Sequence, residues 1–128
     1  MAKSKAKILI VEDESALCQV LEDTFKEEGF SVDTAKDGEE GLKKAQKGNP
    51  DLIILDVILP KMDGMELLKK LKSDEAGKNT KVIMLTNSDS PDNVFESLNY
   101  GATDYLTKAD WQLEDLVAKV KERLNIKE

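Results

Sequence analysis

The length, composition and charge of this sequence limit its class before any motif is considered. At 128 residues it has the usual size of one domain, so we expect a single domain over 1–128. The formal net charge of -7 opposes direct binding to nucleic acid. No apolar stretch has the length of a membrane span or a signal-peptide core, which predicts a cytoplasmic protein without a membrane location of its own.

Residue counts exclude further kinds of chemistry. The single cysteine, Cys18, cannot form an internal disulfide or a multi-thiolate zinc site, and its helical surroundings predict a buried residue. The sequence has no histidine, which removes His-based acid-base catalysis and the commonest transition-metal ligand. Chemistry in this chain therefore has to use carboxylates, hydroxyls and lysines.

Short apolar runs alternate along the chain with longer segments of helical periodicity, which predicts a parallel sheet covered on both faces. The strands are predicted at 7–11, 31–35, 52–55, 81–85 and 104–107. The third run is apolar at every position, so it should lie at the centre of the sheet. Five β/α repeats predict a doubly wound α/β fold of the flavodoxin-like type, with strand order 2-1-3-4-5 and five helices.

Apolar stripes and capping residues predict the helices. Two stripes should face the core: Leu17, Val20, Leu21 and Phe25 form one, and Leu113, Leu116, Val117, Val120 and Leu124 form the other. The predicted helix ends are C-terminal caps at Gly29 and Gly101, a stop at Gly48-Asn49-Pro50, an N-cap at Ser90 before Pro91, and capping boxes at Asp37 with Glu40 and at Asp63 with Glu66.

Chemically active side chains follow four of the predicted strands. Glu12 and Asp13 come after the first strand, and Asp56 follows the third. Thr86 and Lys108 follow the fourth and fifth strands. Because ligands of such sheets bind beyond the carboxyl ends of the strands, these side chains should share one crevice. The three carboxylates suit Mg²⁺, whereas the lysine and the threonine suit the oxygens of a phosphoryl group.

Each of these residues has a simpler explanation when it is taken alone. Acidic residues at 12–14 suit the first turn of a helix, and Asp56 could be a turn residue at a strand end. Thr86 could cap a local turn, and Lys108 could be a solvated surface charge. The functional interpretation is favoured because all four explanations would have to hold while the residues still met at one edge of the sheet.

Four segments resemble the receiver domain of bacterial two-component response regulators (CheY-like). They are ILIVEDE at 8–14, LDVILPKMDG at 55–64, Leu85-Thr86 and GATDYLTK at 101–108. The resemblance implies Mg²⁺-dependent phosphoryl transfer to Asp56 from a sensor histidine kinase or a phosphotransfer protein, which switches a protein-binding surface. The chain would be no enzyme beyond catalysing its own phosphorylation and dephosphorylation.

The resemblance also assigns individual roles. Asp13 and Asp56 would bind the metal directly and Glu12 through a water. The implied metal ligands are thus Glu12, Asp13, Asp56 and the backbone carbonyl of Ile58. Thr86 and Lys108 would hold the phosphoryl oxygens, and Tyr105 would be an aromatic switch that turns inward when Thr86 moves to the phosphate.

Two residues depart from the family pattern. Asn87 stands where the family usually has alanine or glycine, which predicts altered rates of phosphorylation and dephosphorylation. Ala109 stands where the family usually has a proline after a cis peptide bond. Because a cis bond before alanine costs about 3 to 4 kcal/mol, we expect a trans Lys108–Ala109 bond.

Other classes of protein fit less well. A haloacid-dehalogenase-like phosphatase needs a second aspartate two positions after its nucleophile, where this chain has Ile58. A flavin-binding module needs a hydroxyl-rich phosphate loop, where this chain has the acidic residues 12–14. The alternative that stays open is a receiver-like protein-binding module that works without phosphorylation.

The partner surface is less well defined by the sequence. The face formed by the fourth helix, the fifth strand and the fifth helix carries Tyr100, Tyr105, Trp111 and Arg123, which are residue types common at interfaces. This face predicts contact with an unknown downstream protein target, or a phosphorylation-dependent dimer. The simpler interpretation is that Tyr100 and Trp111 cover the ends of a helix.

Overall fold

The computed structural model describes residues 6–87, 91–108 and 112–126. Its parallel strands lie in the order β2-β1-β3-β4-β5 and alternate with helices. The strands are β1 (Lys7–Val11), β2 (Ser31–Ala35), β3 (Leu52–Leu55), β4 (Lys81–Thr86) and β5 (Asp104–Thr107). The helices are α1 (Ser15–Glu27), α2 (Gly38–Gly48), α3 (Gly64–Lys72), α4 (Pro91–Asn99) and α5 (Leu113–Arg123). The predicted α/β doubly wound fold is confirmed.

The register of the sheet places the strand ends side by side. Val11 at the end of β1 pairs with Leu55 at the end of β3. The strand order reverses between these two strands, because β2 lies on one side of β1 and β3 on the other, and this place is the switch point of the sheet. Every residue of β3 is buried, as its continuous apolar run predicts. β4 is one residue longer than predicted because Thr86 continues the ladder opposite Thr107.

Helices cover both faces of the sheet, and each face has its own apolar cluster. On one face, α1 and α5 pack over β1, β3 and β4 through residues that include Ile8, Leu21, Phe25, Leu52, Ile54, Leu116 and Val120. On the other face, α2 and α3 pack through residues that include Leu9, Ala45, Ile53, Leu55, Leu67, Leu68 and Met84. The two clusters fix the sheet, and with it the positions of the strand ends.

One member of the predicted α1 stripe is wrong. Val20 is 47% exposed, whereas Leu21 and Phe25 are fully buried, and Cys18 is buried as predicted. At 100° per residue, positions 17, 18, 21 and 25 fall within one apolar arc, and position 20 lies well outside it. The α5 stripe is confirmed, with Leu116, Val117 and Val120 buried and the end positions 113 and 124 partly buried against the same cluster.

The helix ends largely follow the predicted capping chemistry. Gly29 and Gly101 have positive φ angles of 98° and 103°, and Asn49 ends α2 in the left-handed region. The N-cap carboxylates accept from backbone N–H groups, Asp37 from Glu40 at 2.8 Å and Asp63 from Glu66 at 2.9 Å. The Glu40 carboxylate bonds to the backbone of residue 36, one position before the N-cap. Ser90 lies outside the described residues.

In the part of the chain that the structure describes, every helix is too short or too polar to cross a bilayer.

Candidate functional site

Backbone hydrogen bonds continue the sheet beyond the ends of its strands. The N–H of Glu12 donates to the last carbonyl of β2 at 3.0 Å, and the N–H of Asp56 donates to the Val11 carbonyl at 3.1 Å. On the other side, the N–H of Lys108 donates to the Thr86 carbonyl at 2.7 Å. The side chains that follow the strands are therefore anchored by the sheet itself, at one edge.

The predicted site residues line one crevice of about 160 Å³ at this edge. Its lining consists of Glu12, Asp13, Glu14, Asp56, Ile58, Thr86, Asn87 and Lys108. Ile58 and Asn87 were named from the sequence beside the five strand-end residues, and Glu14 is an addition. Tyr105 does not line the crevice, since its half-buried side chain packs against the apolar cluster on the α2 and α3 face.

The centre of the crevice is a lysine between two buried carboxylates. Lys108 Nζ lies 2.9 Å from Glu12 Oε1 and 3.0 Å from Asp56 Oδ2. Glu14 Oε1 is further away, at 3.9 Å. Glu12 and Asp56 are 3% and 6% exposed, so each needs a partner charge to be stable as an ion. Lys108 supplies that charge to both.

Burial and pairing shift the pKa values of Glu12 and Lys108. Burial raises the pKa of Glu12, and the hydrogen bond from Lys108 offsets only part of the rise. For Lys108, burial acts to lower the pKa, but the hydrogen bonds to Glu12 and Asp56 outweigh it and the pKa is raised. Lys108 is therefore a cation at neutral pH.

The backbone after β3 is tightly packed around Asp56. The N–H of Gly64 donates to the Val57 carbonyl at 2.7 Å, and a Cβ atom at Gly64 would lie 2.8 Å from the Asp56 carbonyl carbon. The N–H of Ile58 faces Asp56 Oδ1 at 3.3 Å. Only glycine fits at position 64 without moving the backbone of Asp56. The sequence signal for this contact is a glycine at the first position of a helix.

The carboxylates of the crevice fit a divalent cation. Glu12, Asp13 and Asp56 each offer an oxygen, and these oxygens all lie within 4.8 Å of one another. Mg²⁺ holds its ligands at about 2.0 to 2.1 Å in an octahedron and usually keeps several waters. Opposite ligands of such an ion are about 4.2 Å apart, so carboxylate oxygens gathered this closely can share one ion. Asp13 is exposed, which leaves room for those waters.

Several predicted interface residues have other contacts. Arg123 makes a bidentate ion pair with Asp104, at 2.6 and 2.9 Å, so its guanidinium ties α5 to β5. Tyr100 is 41% exposed, and Lys69 Nζ lies 4.7 Å from the centre of its ring. Trp111 and the Lys108–Ala109 bond lie outside the described residues.

An open parallel sheet with an acidic crevice at its switch point defines the class of CheY-like α/β domains. Residues 8–121 match the model of the response regulator receiver domain family, and the chain belongs to this family. It is 44% identical over 102 residues to the alkaline phosphatase synthesis transcriptional regulatory protein PhoP of Bacillus subtilis, an alignment that covers 80% of this chain and 42% of that protein. The chain spans about half the length of the curated relatives it matches.

Solved structures give the same result at the level of the fold. A CheY-like receiver domain protein from Methanospirillum hungatei is 36% identical with a TM-score of 0.89, and 95% of each chain is covered. A chain of the CheX-CheY-BeF3-Mg+2 complex of Borrelia burgdorferi is 31% identical with a TM-score of 0.84, covering 93% of this chain and 89% of that one. The chain is therefore a response regulator receiver domain of the two-component type.

Proposed function

We propose that this receiver domain accepts a phosphoryl group on the carboxylate of Asp56. One observation carries the proposal: Asp56 lies at the base of an acidic crevice, with a lysine cation bound to its Oδ2 atom at 3.0 Å. A carboxylate is a nucleophile without further deprotonation, so the absence of histidine is no obstacle. The donor is a phosphohistidine on a sensor histidine kinase or a phosphotransfer protein.

In the transfer, an Asp56 oxygen attacks phosphorus in line with the departing imidazole nitrogen. The O–P bond forms, the P–N bond breaks, and the imidazole leaves with the electron pair and takes up a proton. Lys108 and the hydroxyl of Thr86 hold the phosphoryl oxygens, so that charge on the transferred group is stabilised where it develops. Positioning contributes most of the catalysis, because a carboxylate nucleophile needs no general base.

The proposal includes dependence on a divalent cation. The metal ligands would be Glu12 through a water, the carboxylates of Asp13 and Asp56, and the backbone carbonyl of Ile58. Bound Mg²⁺ supplies charge compensation and orientation of the phosphoryl oxygens. The closeness of the three carboxylates supports their part in this set, and so does the similarity to a chain of the CheX-CheY-BeF3-Mg+2 complex of Borrelia burgdorferi.

The output is a protein-binding surface formed by α4, β5 and α5. On phosphorylation, Thr86 moves to the phosphoryl group and Tyr105 turns inward, which favours a form with higher affinity for a downstream target or for a second copy of the chain. Three exposed apolar side chains of this face support it: Phe95, Leu98 and Tyr100. We expect phosphorylation and target binding to take place in the cytoplasm.

Intact-mass spectrometry after incubation with acetyl phosphate tests the proposal. With Mg²⁺ present, the wild-type chain should gain the mass of one phosphoryl group, and omission of Mg²⁺ should abolish most of the gain. Asp56→Ala removes the nucleophile and should show no gain. A wild-type chain without a gain would favour the alternative, a receiver-like binding module that works without phosphorylation. An undiminished gain in Asp56→Ala would contradict Asp56 as the acceptor and place the phosphoryl group on a different residue.

A further inference from the structure

A contact between two backbone segments lies behind the crevice. Gly38, the first residue of α2, is buried, and a Cβ atom there would lie 2.6 Å from the Met62 carbonyl carbon and closer still to its oxygen. The N–H of Gly38 donates to the Pro60 carbonyl at 3.2 Å. Backbone atoms cannot rotate away as the end of a side chain can. A larger residue at position 38 therefore has to displace the segment that contains Met62.

That segment belongs to residues 56–63, which we call the acceptor loop, and it is closed on itself. The N–H of Met62 donates to the Pro60 carbonyl at 2.7 Å, around Lys61, whose φ angle is 70°. The Pro60 carbonyl thus accepts hydrogen bonds from Met62 and Gly38 together. Because this turn is closed by a hydrogen bond, a displacement of Met62 also moves Pro60.

The other end of the acceptor loop cannot move with it. The N–H of Gly64 bonds to the Val57 carbonyl, and the Gly64 backbone lies directly against the Asp56 carbonyl. Because Val57 and Gly64 are held together, a displacement of Met62 is absorbed by the residues between them. That stretch contains Ile58, whose N–H faces Asp56 Oδ1 and whose carbonyl is a proposed metal ligand.

We infer that Gly38 is a positioning residue for the phosphoryl-accepting site, an inference that rests on the proposed phosphorylation of Asp56. The N-terminus of α2 supports the acceptor loop from behind and keeps the Ile58 carbonyl and the Asp56 carboxylate directed into the crevice. Gly38 touches none of the reacting atoms. Its effect passes through the backbone of Pro60 and Met62.

The test compares Gly38→Ala with Gly48→Ala, a matched substitution on the same helix where a Cβ atom would meet no other atom within 4 Å. Mg²⁺ affinity is measured by calorimetric titration, well below each melting temperature. We expect Gly38→Ala to bind Mg²⁺ at least about ten-fold more weakly than the wild type, which is the usual effect of losing a residue that supports metal ligands. The phosphorylation rate with acetyl phosphate at saturating Mg²⁺ should also fall. Gly48→Ala should match the wild type in both measurements.

A Gly38→Ala protein that melts at a lower temperature but keeps the wild-type Mg²⁺ affinity and phosphorylation rate would overturn the inference, since Gly38 would then serve folding alone. If this variant does not fold, NMR of the ¹⁵N-labelled wild type decides. The Gly38 amide should shift on Mg²⁺ titration while the Gly48 amide stays fixed, and an unmoved Gly38 amide overturns the inference. A wild type that gains no phosphoryl mass contradicts the proposed function instead.

Discussion

At the scale of single residues, the crevice depends on how one cation is shared. Lys108 Nζ binds both Glu12 and Asp56, so it supplies charge of the kind that a divalent cation would bring. A cation entering the crevice has to compete with Lys108 for the same oxygens. The lysine therefore has two opposing effects: it weakens metal binding, and it stabilises the phosphoryl group.

Lys108→Ala separates these two effects. We expect Mg²⁺ to bind at least as tightly as in the wild type, because the competing cation is gone and the buried carboxylates lack their partner. Phosphorylation by acetyl phosphate at saturating Mg²⁺ should slow by about 100- to 1000-fold, the usual loss when a donor to developing charge is removed. Calorimetry and time-resolved intact-mass spectrometry measure the two quantities.

Lys119→Ala is the control for Lys108→Ala. Lys119 lies on α5 with its Nζ 3.9 Å from Asp104 Oδ1, outside the crevice, so neither quantity should change. A clear loss of Mg²⁺ affinity in Lys108→Ala would contradict the competition between lysine and metal.

At the scale of secondary-structure elements, α1 provides a direct comparison between a buried and an exposed apolar residue. Leu21 is fully buried and Val20 is 47% exposed, although they are neighbours in sequence. We expect Leu21→Ala to lower the free energy of unfolding by about 3 kcal/mol, because it removes buried methyl groups and leaves a cavity. Val20→Ala should change it by less than about 0.5 kcal/mol. Urea denaturation followed by circular dichroism gives both values, and equal losses would contradict the observed orientation of α1.

The sequence predicted the strands well because each is a short apolar run bounded by turn residues. It also predicted that Glu12, Asp56 and Lys108 would meet. Each of them directly follows a strand, and parallel strands end at a common edge of the sheet. The five strand-end residues all line the crevice. Here local pattern and topology were sufficient.

Features that depend on contacts distant in sequence were not predictable in this way. Val20 was wrongly included in the apolar stripe because the pattern alone does not define the rotation of α1. The ion pair between Arg123 and Asp104 depends on how α5 crosses β5, which the sequence does not specify. The contact of Gly38 with Met62 joins the start of α2 to the acceptor loop, and its only sequence signal is a glycine at a helix start, where capping alone would favour a better helix former.

At the scale of the whole molecule, the large apolar side chains divide between the two buried clusters and a few exposed positions. Most large apolar side chains of the described residues are buried against the sheet. On α4, however, Phe95 is 71% exposed and Leu98 is 48% exposed, three positions apart and hence on one side of the helix. This pair of exposed apolar residues fits the partner-binding surface that we propose for this face.

If this face forms the proposed dimer, association should depend on both phosphorylation and the α4 side chains. Analytical ultracentrifugation should show a monomer in Mg²⁺ alone and a shift toward dimer after acetyl phosphate is added. The double variant Phe95→Ala with Leu98→Ala should stay monomeric while still gaining phosphoryl mass, because the crevice lies elsewhere. Val20→Ala removes an exposed apolar side chain from a different helix and should dimerise as the wild type does. A phosphorylated wild type that stays monomeric would contradict the dimer and leave the face to a different protein, whereas a double variant that still dimerises would place the interface on another surface.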